Sequence, residues 1–134
     1  ADGLIEDWYG EGNFNRTAML YALMKSQGVR PVEWRPGIRV GAVRKGDGVL
    51  VALEAPSSVK LQFDYARHRR VLNLDKNYVR LNEFPEWFTV EENSLYRVSS
   101  GTGEQVRLGA ELIEGITLTP GNWSITRYTG TPSR

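Results

Sequence analysis

The single histidine of the sequence, His68, stands in the run Asp64-Tyr65-Ala66-Arg67-His68-Arg69-Arg70. An imidazole near a carboxylate can begin a metal site, but such a site needs three or four ligands at spacings that converge on one ion. No ligand-spaced cluster accompanies His68, and the sequence has no cysteine to supply a thiolate or a disulfide. No metal and no cofactor is expected. Nucleophilic catalysis of the Ser-His-Asp kind needs a serine on a sharp turn, and no Gly-x-Ser-x-Gly elbow is present. His68 therefore reads first as a surface or interface histidine among arginines.

The same basic run has a second chemistry. Guanidinium groups bind carboxylate, sulfate or phosphate through paired N–H donors. Arg67 and His68 are candidates for gripping an anionic ligand, with salt bridges to nearby acids as the plainer reading. Phosphate-binding loops are absent: Gly46-Asp47-Gly48 and Gly101-Thr102-Gly103 fall between strand-like runs, with no helix N-terminus to receive an anion. With 17 basic and 16 acidic residues and a formal net charge of +1, the chain has no bulk attraction for nucleic acid or anionic lipid. No nucleic-acid partner is expected.

Paired carboxylates are the tools of glycoside hydrolysis. The candidates are Glu6, Asp7 and Glu11 near the start, and Glu83 and Glu86 in Asn82-Glu83-Phe84-Pro85-Glu86-Trp87. Desolvation beside aromatic rings raises a carboxyl pKa, as a general acid requires. Arginine-paired structural acids are the commoner outcome, so no catalytic residue is assigned.

Aromatic rings point more clearly to a ligand. Flat sugar faces stack their C–H surface on rings while Arg, Glu and Asn bond the hydroxyls. Trp34 sits between Glu33 and Arg35, and Tyr78 lies close to Asn77 and Arg80. Together with Tyr65, Arg67 and His68, the residues Trp34, Tyr78 and Arg80 form the expected ligand-binding set. Trp87 and Trp123 stand in strand-like contexts, where packing is the usual role.

The elements that must carry these groups follow from the hydrophobic pattern. The 134 residues are 40% hydrophobic and 25% charged, which suits one globular domain. Residues 1–12 read as a lead-in. Phe14 to Gln27 reads as a helix with Asn13 as N-cap and Gly28 as the C′ stop. Within it, Ala18 to Met24 is apolar without a break. At about 100° per residue such a run covers the whole circumference, so the helix wants burial on every side. A small β-domain covers one side only. Leu20, Leu23 and Met24 are therefore the expected docking residues for a partner chain or a further part of the same polypeptide.

From Ile38 onward the pattern has period two. Expected strands are Ile38-Val40-Ala42, Val49 to Leu53, Val59-Leu61-Phe63, Trp87 to Val90, Leu95 to Val98, Gln105 to Leu108, and a closing hairpin of Ile116 to Leu118 with Trp123 to Tyr128 about Pro120-Gly121. Asp47-Gly48 is a hairpin signal. Residues 64–86 are the least regular stretch, and 109–115 suit a short helical turn or a loop. No helix lies between strands to serve a parallel crossover. The expected fold is mostly β: an antiparallel β-sandwich of seven to nine strands preceded by one N-terminal α-helix. Its parts are a lead-in and docking helix (1–28), the sandwich (29–130) and a frayed tail (131–134).

Nothing approaches the about 18 consecutive apolar residues of a membrane span. The sequence opens at Ala1 with neither a methionine nor an apolar signal segment. A processed chain or a piece of a longer one is the expectation.

Two segments carry a resemblance. Phe63-Asp64-Tyr65-Ala66-Arg67-His68-Arg69 and Asn82-Glu83-Phe84-Pro85-Glu86-Trp87-Phe88, preceded by the helix and Arg35-Pro36-Gly37, resemble the C-terminal β-sandwich portions of bacterial carbohydrate-active enzymes. In such glycoside hydrolases and polysaccharide lyases a toroid or barrel of helices does the chemistry, and a terminal sandwich packs beside it. The resemblance, spanning about residues 13–128, implies an accessory domain that contributes packing and contacts to carbohydrate, acidic glycans included. It also favours a secreted or periplasmic location. A different class, an assembly subunit docking through its apolar helix, stays open. So does a small glycan-active enzyme using Glu83 or Glu86.

Overall fold

The computed structural model describes residues 12–75 and 87–130, with side chains from residue 15 onward. Tyr78, Arg80, Glu83 and Glu86 lie outside the described residues.

The chain begins with α1 (Gly12–Lys25) and a two-residue strand β1 (Arg30–Pro31). The hairpin β2 (Arg39–Lys45) and β3 (Gly48–Glu54) follows, then β4 (Val59–Gln62) and a short α2 (Arg67–Arg70). After residue 87 come β5 (Leu95–Ser100), β6 (Gly103–Leu108), α3 (Gly109–Glu114), β7 (Ile116–Leu118) and β8 (Gly121–Arg127). These strands form two antiparallel sheets, ordered β1-β4-β7 and β2-β3-β8-β5-β6. That is the expected sandwich-like fold with one N-terminal helix.

Alternation decides which side chains enter the core. On β3, Val49, Val51 and Leu53 are buried while Leu50, Ala52 and Glu54 face out. They meet Tyr96 and Val98 of β5, Ile125 of β8 and, from the smaller sheet, Val59, Leu61, Ile116 and Leu118. Leu112 of α3 and Phe63 complete this core, both under 2% exposed. The β2–β3 hairpin that the Asp-Gly signal predicts is present, and it closes on Gly46 and Asp47, with Gly48 already paired opposite Lys45. Residues 109–114 form a helix, within the expected range.

Four local expectations are corrected. The first concerns α1, which starts at Gly12 and ends at Lys25, so Asn13 lies inside the helix instead of capping it. Its C-terminus is a Schellman motif, with Gly28 N–H donating to Leu23 at 2.7 Å and Gln27 N–H to Met24 at 3.3 Å. The left-handed C′ residue is thus Gln27 (φ 51°), and Gly28 (φ 72°) follows it.

Second, Trp87 to Val90 is not a strand. Trp87, Phe88 and Val90 are buried, but Val90 makes only an isolated parallel bridge with Tyr65. Phe88 instead packs edge-on against both Phe63 and Tyr96, with centroids at 6.5 and 6.4 Å. Third, β7 and β8 do not pair as a hairpin. β7 pairs with β4 in one sheet, and β8 lies between β3 and β5 in the other. Pro120 sits where the chain crosses between sheets. Fourth, the irregular stretch after Asp64 contains α2, a single helical turn.

The apolar helix remains largely uncovered. Met19 is 64%, Tyr21 61% and Met24 47% exposed, while Leu20 and Leu23 are half-buried. α1 lies against β2. Among the described residues no helix is long and apolar enough to cross a membrane.

Candidate functional site

Asp64 follows the last core residue of the β4 segment, Phe63, and its carboxylate is 2% exposed. A buried carboxylate must be surrounded by donors. Oδ1 accepts the backbone N–H of Tyr65 at 3.0 Å. Oδ2 accepts Arg67 at 3.0 Å and the indole N–H of Trp87 at 2.9 Å. The Asp64 carbonyl also accepts Val90 N–H at 2.8 Å. Asp64 therefore ties α2 to the 87–90 segment and fixes the position of the basic run.

Tyr65 is the platform of that run. Arg70 lies over its ring at 4.7 Å and Arg67 at 5.5 Å. The ring thus serves to orient guanidinium groups and does not present an unobstructed stacking face. Arg70 reaches Glu92 at 3.7 Å.

Beside Tyr65 opens a cleft of about 740 Å³, between α2, the β2–β3 turn and residues 87–94. His68, Arg69 and Arg70 line one wall, and Arg44 with Asp47 lines another. Glu91, Asn93, Ser94 and Arg127 close the far side. Arg127 is held by Glu91 at 2.9 Å and by the Ser94 hydroxyl at 3.0 Å, and Ser94 itself donates to Glu91 at 3.2 Å. Below them the Tyr96 hydroxyl accepts Glu91 N–H at 2.8 Å. Burial pushes the Tyr96 phenol pKa up, and the Glu91 charge adds to this against the lowering effects of that hydrogen bond and of Arg127. Arg44 and Arg69, by contrast, make no side-chain hydrogen bond or ion pair among the described residues.

Of the expected ligand set, Tyr65, Arg67 and His68 come together here. Tyr65 and His68 line the cleft, while Arg67 turns to Asp64. Trp34 does not join them: it is 64% exposed on the connection between β1 and β2, beside the Glu33–Arg35 ion pair of 2.6 Å. Arg44, Asp47, Glu91, Asn93 and Arg127 were not legible as site residues. They reach the cleft from β2, its turn, the loop before β5 and β8, so only the tertiary pairing unites them.

A second concavity, a trough of about 1060 Å³, runs between the end of α1 and the outer face of the larger sheet. Met24, Val43, Leu50, Ala52, Ser99 and Ser124 line it. Val43 is 67% and Leu50 42% exposed, so the uncovered apolar surface of α1 continues onto the sheet.

No family model, curated protein or solved structure matches this chain.

Proposed function

We propose that this chain is an accessory β-sandwich of a saccharide-processing enzyme, packing through α1 on a helical body of that enzyme and contacting saccharide at the Tyr65 cleft. α1 carries the proposal. A helix whose Ala18, Met19, Tyr21, Ala22 and Met24 stand exposed beside an apolar sheet face has the surface of an inter-domain contact. The resemblance of residues 63–69 and 82–88 to terminal sandwiches of carbohydrate-active enzymes supports the choice of that body. The cleft adds guanidinium, amide and hydroxyl groups of the kind that bind sugar hydroxyls and acidic substituents.

The experiment is a titration of the chain with neutral and acidic oligosaccharides, followed by tryptophan fluorescence and calorimetry. Trp87 lines the cleft, so occupancy should change its emission. Binding of at least one oligosaccharide class supports the reading; silence across the whole panel removes its saccharide part. An assembly subunit of another kind shares the α1 surface and is separated from this reading by that silence.

A further inference from the structure

The Tyr65 cleft holds charges of both signs, and they are unequally engaged. Arg127 is neutralised by Glu91, and Arg70 is paired with Glu92. Arg44 and Arg69 line the same cleft with free guanidinium groups among the described residues. Asp47 lines it too and makes no ion pair there. Two open guanidiniums therefore share the space with one open carboxylate. The Asn93 side-chain amide, also on the lining, makes no hydrogen bond among the described residues.

Free guanidiniums from two elements, the β2–β3 hairpin and α2, line the one cleft, and guanidinium N–H groups bind oxyanions. The remaining groups narrow the ligand. Asp47 can only accept hydrogen bonds when ionised, and Asn93 both donates and accepts. A ligand that brings one anionic group together with several hydroxyls satisfies all four. A polyphosphate chain carries oxyanions without hydroxyls, so it offers Asp47 no donor and only sets charge against it.

We propose that Arg44 and Arg69 form an anion subsite that selects a pyranose carrying a carboxylate, with Asp47 and Asn93 bonding its hydroxyls. This rests on the saccharide reading above and names the substrate class of the same cleft. The guanidiniums hold the carboxylate by charge-assisted hydrogen bonds. Being open to solvent on one side, the subsite is weakened by salt.

The test compares tetragalacturonate, its methyl ester, a sulfated tetrasaccharide, cellotetraose and an eight-nucleotide DNA strand by calorimetry at two salt concentrations. Tetragalacturonate should bind best, and its methyl ester should bind about tenfold more weakly or worse. Arg44→Ala with Arg69→Ala should erase that preference, bringing tetragalacturonate down to the affinity of its methyl ester. Arg69→Lys should retain part of it, because charge survives without the paired geometry. Both arginines are exposed and unpaired, and an unchanged melting curve for the variants confirms that folding is intact. Equal binding of the ester and the acid overturns the subsite while sparing the saccharide reading. Preferential binding of the sulfated sugar or of the DNA strand overturns the choice of carboxylate. Silence of every ligand overturns the subsite together with the saccharide reading beneath it.

Discussion

The indole N–H of Trp87 donates to Oδ2 of Asp64 at 2.9 Å, joining chain segments 23 residues apart. Both partners are buried, at 4% and 2% exposure, so neither can turn to water when the other is removed. The same oxygen carries the bond from Arg67, which places the whole basic wall of the cleft under the control of this pair.

Asp64→Ala should therefore cost about 3 kcal/mol, because it strands the buried Trp87 N–H and the Tyr65 N–H without acceptors. Asp64→Asn keeps an acceptor oxygen and should cost about half as much. Urea unfolding of both variants checks the order. Trp87→Phe combined with Asp64→Asn should show a coupling of about 1 kcal/mol, and strictly additive losses would contradict the direct bond.

A second prediction concerns close backbone approach. A Cβ at Gly109 would overlap the carbonyl oxygen of Glu91, where α3 meets the loop before β5. Backbone cannot yield as a side chain can, so Gly109→Ala should lose about 3 kcal/mol. Gly41, on the outer face of β2, has open space around it. Gly41→Ala should stay within about 0.5 kcal/mol of the parent in the same unfolding experiment.

These relationships show where sequence pattern stops being sufficient. Period-two alternation located β2, β3, β4 and β5, because each strand buries one face and the signal is local, and it located β6 although Val106 and Leu108 stay exposed there. It failed for Trp87 to Val90, where three of four residues rich in β-forming types are buried in a loop beside Phe63, Asp64 and Tyr96. Propensity there reports fit to a half-buried surface and not strand pairing itself. It also joined β7 to β8, since proximity in sequence suggests a hairpin while the sheets claim the two strands separately. In the cleft, the basic run was visible as a motif, but Arg44 and Arg69 line one cavity only because the fold brings β2 and α2 to the same cleft. Nothing local in either segment encodes that meeting.

The buried phenol of Tyr96 gives a pH signature. Burial, its largest cause, raises the pKa in the folded chain, so the folded state holds the proton more tightly than the unfolded state. The stability that Tyr96 contributes is complete below the unfolded tyrosine value of about 10 and falls as pH rises from there through the folded value. Tyr96→Phe lacks this dependence but leaves Glu91 N–H without its acceptor, at a cost of about 1 kcal/mol near pH 7. The difference between parent and variant should shrink above about pH 10. A difference that holds constant to pH 11 would show that the hydroxyl titrates alike in both states.

Glu111 titrates in the opposite direction. Its carboxylate accepts the Leu108 backbone N–H at 2.8 Å at the start of α3, and that bond is the main cause of its lowered pKa, with Arg107 helping at 3.1 Å. A depressed folded value means that the contribution is present at neutral pH and lost as pH falls through the folded value. Glu111→Gln should therefore lower the melting temperature at pH 7 and make no difference once the parent is protonated. A gap between the two proteins that persists at pH 2 would assign the effect to packing instead.

The exposed side of α1 yields the last prediction. Met19 and Tyr21 are more than half exposed, so changing both to glutamate removes no core contact and should leave the melting curve of the sandwich within about 0.5 kcal/mol of the parent. The uncovered apolar side of α1 would nevertheless be interrupted by two charges. Burying a charge in an apolar contact is strongly unfavourable, so any association through this face should disappear. Sedimentation velocity over a hundredfold concentration range provides the measurement. The parent should shift to larger species as concentration rises and the double variant should sediment as a monomer throughout. Identical monomeric behaviour of both proteins would remove α1 as a docking surface, because apolar rings left in water without a partner should find one another first.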